Sequence, residues 1–273
     1  MMRRLASAVM LVTALCALKT EAQTCSTSIT SPLSFGTYTG TQIRSSTPFK
    51  ITCSGSWYLG LNAGTSSGAS GTTRYLTGPG GAELSYQLYQ DSAYSVVWGD
   101  TYPTNTVSGS GNTSGYIYAQ LSASQIKPPG TYTDTVSSST ASFSLTVTIQ
   151  TSCTISANAL SFGQYSRALL KANTTLSVTC SDTTPYNVGL NAGTAAGATV
   201  TTRKMTGPSG KLLNYSLFSN SGYTTNWGNS SGSWVSGTGT GAAQTLTVYG
   251  EIPANQDTIS GTYTDTITAT VNY

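Results

Sequence analysis

The chain states one domain twice. Cys25, Leu33-Ser34-Phe35-Gly36, Ile51-Thr52-Cys53, Gly60-Leu61-Asn62-Ala63-Gly64-Thr65, Thr73-Arg74, Trp98-Gly99 and Gly130-Thr131-Tyr132-Thr133-Asp134-Thr135 form the first statement. Cys153, Leu160-Ser161-Phe162-Gly163, Val178-Thr179-Cys180, Gly189-Leu190-Asn191-Ala192-Gly193-Thr194, Thr202-Arg203, Trp227-Gly228 and Gly261-Thr262-Tyr263-Thr264-Asp265-Thr266 repeat it in the same order. The offset drifts only from 128 at the first cysteines to 131 at the last motif. Copies of about 125 residues are each ample for one core. Two tandem domains with almost no linker are therefore expected, over 23–150 and 151–273. What the copies share reads as scaffold, so function is sought where they differ.

The N-terminus sets the compartment. Met1-Met2-Arg3-Arg4, an apolar run from Leu5 to Leu18 and the small-residue end Thr20-Glu21-Ala22 read as a secretory signal peptide over 1–22. The run falls short of the roughly 20 residues that span a bilayer, so a soluble mature chain is expected. Cys16 raises a lipoprotein signal, but Leu15 stands where a small residue is needed. Losing Arg3, Arg4 and Lys19 against Glu21 takes the net charge from +3 to +1. That leaves no basic patch for nucleic acid or lipid headgroups. The remaining cysteines fall one pair per copy, Cys25 with Cys53 and Cys153 with Cys180, and in an exported chain read as two disulfides. Pairing across the copies would break the repeat symmetry.

Only 8% of residues are charged, and short alternating runs such as Tyr116-Ile117-Tyr118-Ala119-Gln120-Leu121 are separated by Gly-rich turns. This is the texture of an all-β sandwich. In the first copy strands are expected at 27–35, 49–53, 58–62, 83–89, 116–121 and 132–136. A seventh, over 142–150, carries Phe143, Leu145, Val147 and Ile149 on one face and Ser144, Thr146 and Thr148 on the other. The second copy has counterparts for the first six and none for the seventh. A sandwich one strand short exposes an apolar groove and an unpaired edge, both hazards unless another chain supplies the strand.

These motifs together resemble the spore coat protein U domain family, relatives of which form pilin subunits of archaic chaperone-usher pili in Gram-negative bacteria. The resemblance covers the mature chain once per copy. It implies immunoglobulin-like, pilin-like sandwiches, a periplasmic chaperone, an outer-membrane usher, and an adjacent pilin subunit that adds a strand; it implies no cofactor and no metal. Ordinary pilins of this kind carry a donor segment ahead of the first cysteine. Cys25 closely follows the expected cleavage point, whereas Phe143 to Gln150 stands where a donor should stand relative to Cys153. The expectation is a two-domain adhesin at the tip of a pilus, exported through the periplasm to the cell surface.

Strand direction then puts the adhesive loops at the far pole of the first domain. Candidates are Trp57 and Tyr58 in one loop, Tyr94, Tyr102, Pro103 and Val107 in the connection over 90–115, and the turn 137–141. Aromatic loop tips suit an abiotic surface or a host receptor, including a glycan on which rings stack. Trp98 and Trp227, being repeated, read as core. Arg74, Arg203, Asp134 and Asp265 read as structural for the same reason, and Tyr132 and Tyr263 as tyrosine corners. Asn112-Thr113-Ser114 and Asn173-Thr174-Thr175 match the glycosylation pattern by accident.

Three rivals are weighed. An enzyme is disfavoured because the chain has no histidine and its cysteines are taken by disulfides. The few carboxylates form no pair that would cleave a glycoside. A free-standing carbohydrate-binding module should complete its own sandwich. A secreted coat or matrix protein assembled by strand exchange is separated from a pilus subunit by neighbouring chaperone and usher genes.

Overall fold

A computed structural model describes residues 24–273; the expected signal peptide and Cys16 lie outside the described residues. The first copy folds into ten strands: β1 (Cys25–Ile29), β2 (Leu33–Thr37), β3 (Ile43–Cys53), β4 (Ser56–Leu59), β5 (Arg74–Thr77), β6 (Glu83–Tyr89), β7 (Val107–Ser110), β8 (Thr113–Leu121), β9 (Gly130–Ser137) and β10 (Ser142–Ile149). Eight of them are hydrogen-bonded in the order β1-β3-β8-β6-β5-β9-β10-β2, and β4 pairs with β7. Period-two patterning drives this arrangement. Along β3, Thr47, Phe49, Ile51 and Cys53 point inward, while Ser46, Pro48, Lys50 and Thr52 face water. β10 pairs with β9 over eight residues, from Ser142↔Ser137 to Ile149↔Gly130, and runs parallel to β2 on its other side.

The second copy contributes β11 (Cys153–Ala157), β12 (Leu170–Cys180), β13 (Pro185–Leu190), β14 (Arg203–Thr206), β15 (Leu212–Phe218), β16 (Val235–Thr238), β17 (Ala243–Ile252) and β18 (Ala269–Asn272). They form a sheet β11-β12-β17-β15-β14 and a smaller one, β16-β13-β18. Among the described residues no strand stands where β10 stands in the first copy. In consequence Leu160-Ser161-Phe162-Gly163, the counterpart of β2, is not a strand, and the stretch before β18 makes a single bridge, Thr206↔Thr264. Both disulfides join cross-strand neighbours, Cys25–Cys53 between β1 and β3 and Cys153–Cys180 between β11 and β12.

Several strand bounds differ from expectation. The strand expected over 27–35 is two, β1 on β3 and β2 on β10, broken at Thr30-Ser31-Pro32, where proline has no N–H to offer a ladder. β3 begins six residues earlier than its apolar run, because Ile43 to Ser46 also pair with β8, with Ile43 packed against the core and Arg44 donating to the Gln120 side chain across the ladder at 3.0 Å. The strand expected over 58–62 is β4. β5 and β7 were not anticipated, being four residues long and, for β7, rich in Ser and Gly.

Candidate functional site: an open groove and a distal aromatic pole

The groove is best seen by subtraction. In the first copy Phe143, Leu145 and Val147 of β10 are 5%, 0% and 1% exposed. They close over Leu33, Phe35, Leu76, Tyr132 and Val136, all buried. The counterparts Leu160, Phe162, Met205, Tyr263 and Ile267 are only half-buried. Between them run two adjoining cavities of about 560 and 430 Å³ that share Leu160, Phe162, Met205 and Tyr263. Gly250 lets Phe162 and Leu160 lie against β17, since a Cβ there would meet both within 3 Å. The chemistry of this trough is that of a missing strand: an apolar bed in the smaller cavity, a more polar lining in the larger, where Ser161, Gln164, Thr258 and Thr262 contribute, and on one side backbone with little ladder pairing.

Around the groove the repeated polar residues hold the frame. The Arg74 guanidinium donates to the carbonyls of Asn62, Trp98 and Leu61 at 2.9, 2.8 and 2.6 Å. Arg203 does the same to Asn191, Leu190 and Trp227, and to Val200. Burial lowers the pKa of both, that of Arg203 to about 10. Asp134 accepts from Thr65 N and Oγ1 at 2.8 and 2.9 Å and from the Tyr86 hydroxyl at 2.5 Å. Asp265 accepts from Thr194 and Tyr215 in the same way. Burial first, and the carboxylate beside it second, push the phenols of Tyr86 and Tyr215 far above their ordinary range. Gly64 and Gly193 are required because a Cβ at either would collide with the aspartate, and both take positive φ. Trp98 and Trp227 are 1% exposed and donate to Leu59 and Val188 carbonyls. Tyr132 donates to the Pro128 carbonyl four residues back, as a tyrosine corner does. Asn112 is likewise structural, accepting from the Cys53 amide at 3.0 Å.

The antiparallel chain β10-β9-β5-β6-β8-β3 places the C-terminal ends of β3, β6 and β9 at the pole of Ser142, away from the junction at Ile149. At this distal pole the candidate residues divide. Tyr58 and Tyr102 are each 60% exposed, with ring centroids 5.0 Å apart, and Pro103 is exposed beside them. Trp57 turns inward, half-buried over Gly109, its Nε1 donating to the Gly111 carbonyl at 2.9 Å. Val107 packs against the core. Tyr94 stacks with Tyr89 and Tyr118 under the Arg44 guanidinium, and this cluster recurs as Phe218, Tyr223, Tyr249 and Lys171. Tyr116, 53% exposed where the second copy has Thr247, was missed; its place in an alternating strand hid which face it took. Tyr58 answers to Asn187, and the Tyr102-Pro103 loop is one residue longer than Ser230-Ser231-Gly232, so the exposed pair is particular to the first copy.

Two immunoglobulin-like sandwiches in tandem, one closed by its own last strand and one open, define a pilin-type fold. The Spore Coat Protein U domain matches residues 10–138 and again 139–270. The chain belongs to that family. It is 30% identical over 151 residues to Protein U of Myxococcus xanthus, spanning 49% of this chain and 84% of that one. Its fold is similar to a chain of the CsuC-CsuE chaperone-tip adhesion subunit pre-assembly complex from the archaic chaperone-usher Csu pili of Acinetobacter baumannii. That match has a TM-score of 0.54 and 21% identity, and covers 92% of this chain and 100% of that one. The CupB6 tip adhesin of Pseudomonas aeruginosa is more distant, with a TM-score of 0.34 and 10% identity over 91% of this chain and 93% of its own. The family and the Csu subunit are structural and adhesive proteins, not enzymes. Among the described residues no helix is long and apolar enough to cross a membrane.

Proposed function

We propose that this chain is the two-domain tip adhesin of a chaperone-usher pilus: the first domain, 23–150, presents its distal loops to an abiotic surface or host receptor, and the second, 151–273, takes its missing strand from the next subunit. One observation carries the reading. The groove that β10 fills in the first domain is open in the second. The family's repeat boundary supports it further, because the second unit begins at residue 139 and so includes β10. In that division β10 leads the second unit; in the fold it completes the first. The second domain's donor is thus already engaged in cis, and the first domain has no groove left for another subunit. Such a subunit ends a strand-exchanged fibre. Before assembly the open groove calls for a periplasmic chaperone, and export to the surface for an outer-membrane usher. Kinship with a spore coat protein also fits assembly into a coat, but the pairing of one closed domain with one open one favours an end piece over a repeating unit.

The test is periplasmic expression of the mature chain alone, with its chaperone, and extended after Tyr273 by a linker and a copy of Ser142–Gln150. Solubility and a monomeric state only with chaperone or extension are expected. A chain equally soluble and stable without either overturns strand acceptance. Adhesion of fibres carrying Tyr58→Ser and Tyr102→Ser then tests the distal pole; unchanged adhesion would remove it from the proposal.

A further inference from the structure

The two copies also differ on the outer face of the sheet that β3 forms with β8. Side chains facing water there stand in cross-strand rows: Arg44 beside Gln120, Ser46 beside Tyr118, Pro48 beside Tyr116 and Lys50 beside Ser114. The same rows in the second copy, on β12 and β17, read Lys171 beside Glu251, Asn173 beside Tyr249, Thr175 beside Thr247 and Ser177 beside Thr245. The frame is shared and the chemistry is not. In the second copy the cation is neutralised, Lys171 Nζ lying 3.4 Å from Glu251 Oε2, and the two rows farthest from it carry only Thr and Ser.

In the first copy the cations keep their charge. Glutamine stands in place of the glutamate: Gln120 Oε1 accepts from Arg44 Nε and from Gln42 Nε2 at 3.0 Å each, bonds that orient the guanidinium without neutralising it. Lys50 stands exposed where the second copy has Ser177, and among the described residues neither Arg44 nor Lys50 has an ion pair. The carboxylates at and just beyond the ends of β6 are engaged elsewhere, Glu83 by Ser66 and Asp91 by Ser95 and Val96. Between the cations Tyr116 replaces a threonine and Pro48 faces it. The Tyr116 ring is 53% exposed and 6.2 Å from that of Tyr118, which Tyr94 packs in turn. The result is an open aromatic step with a bare positive charge on either side, the two charged residues about 20 Å apart along β3 at the rise of an extended strand.

We propose that this face binds an anionic polysaccharide, a chain of pyranose rings that carry carboxylates. The site is separate from the open groove and from the distal loops, and so goes beyond the tip reading. Charge complementarity selects the ligand: carboxylates spaced along one chain answer both Arg44 and Lys50, which a neutral glycan leaves unpaired. Sugar rings present a flat C–H face that stacks on an exposed aromatic ring, and their hydroxyls suit the Ser46, Ser114 and Gln87 side chains of the same and adjoining rows. A nucleic-acid strand fits less well, because it carries a phosphate at every nucleotide and meets only two cations here. Both charges are exposed, so binding weakens as salt screens them.

The test titrates the full chain, carrying the copied donor strand after Tyr273, with oligogalacturonate, with the same oligomer as its neutral methyl ester, and with oligothymidylate, following the Tyr116 ring by NMR. In low salt the acid oligomer is expected to perturb that ring and to bind at least tenfold more tightly than the ester or oligothymidylate. Gln120→Glu, which gives Arg44 the ion pair that Lys171 has, should weaken binding at least fivefold, and Lys50→Ser with Tyr116→Thr at least tenfold. Each substitution installs the second copy's own residue in the same register, so the thermal midpoint should not move. An unperturbed Tyr116, equal binding by the ester, or undiminished affinity in the variants overturns the proposal. Oligothymidylate binding as tightly as the acid oligomer makes the face a general polyanion site and overturns the carbohydrate assignment. With the donor strand present in every sample, the outcome does not depend on whether the second domain takes a strand from a partner, so the two readings fail separately.

Discussion

Leu33 and Leu160 occupy the same place in two copies of one motif and have different surroundings. Leu33 is 1% exposed beneath β10; Leu160 is half-buried at the lip of a cavity. The same contrast separates Phe35 from Phe162, Leu76 from Met205 and Val136 from Ile267. What one strand contributes to a sandwich is therefore visible within a single molecule. It supplies apolar side chains, and it also converts its neighbour β2 from irregular backbone into a paired strand. The polar frame is indifferent to it, since Arg203 and Asp265 keep the contacts of Arg74 and Asp134 in the open domain.

The sharpest way to break this comparison is to damage β10. Leu145→Asp places a carboxylate at a fully buried position and should cost more than about 4 kcal/mol, unfolding the first domain in urea while the second keeps its own transition. If the first domain survives, β10 is not its closing strand. Next comes the matched pair Leu33→Ala and Leu160→Ala, expected to cost about 3 and about 1 kcal/mol respectively. Appending the copied donor strand after Tyr273 should bring the second value up toward the first. Removing either disulfide, by Cys25→Ser with Cys53→Ser or Cys153→Ser with Cys180→Ser, should cost roughly 3 kcal/mol in each domain. A large inequality there would show that the closing strand and the disulfide are coupled.

A smaller effect concerns pH. The Tyr86 and Tyr215 phenols stay protonated in the fold while tyrosines of the unfolded chain ionise near pH 10. Above that pH the folded state binds more protons, so stability that is fully present below pH 10 falls as pH rises, by up to about 1.4 kcal/mol per pH unit for each tyrosine. Arg203, its pKa lowered to about 10 by burial, contributes the opposite slope in that range. Tyr86→Phe should cost about 1–2 kcal/mol at neutral pH and flatten the alkaline decline of the first domain, as read by urea midpoints between pH 9 and 11. An unchanged decline would remove Tyr86 as its source. Smallest of all, Tyr58→Ser should alter stability by less than about 0.5 kcal/mol, its side chain being exposed.

Much of this architecture was legible because duplication makes a sequence its own comparison. The shared Cys, Arg, Trp and Asp motifs mark the frame, and the alternation of Phe143, Leu145, Val147 and Ile149 marks a strand present once. The loop residues were less legible. Trp57 and Tyr58 are adjacent aromatic residues, yet one packs inward and the other stands in water, because strand pairing with β7 fixes which side of the pleat each takes. Tyr94 looks as available as Tyr102 until its stack under Arg44 is seen, along with the same stack in the second copy.

The sequence alone determined the repeat, the disulfide partners, the β class and the strand character of β10, since each follows from residue type, spacing or period. Tertiary structure decided the rest: that the break at Thr30-Ser31-Pro32 sends β1 and β2 to different neighbours, that the groove opens beside Leu160 and Tyr263, and that β13 pairs with both β16 and β18 while β4 pairs with β7. These depend on hydrogen bonds between residues far apart in the chain, and the direction of a backbone N–H is written in the pairing of strands rather than in the side chain it carries.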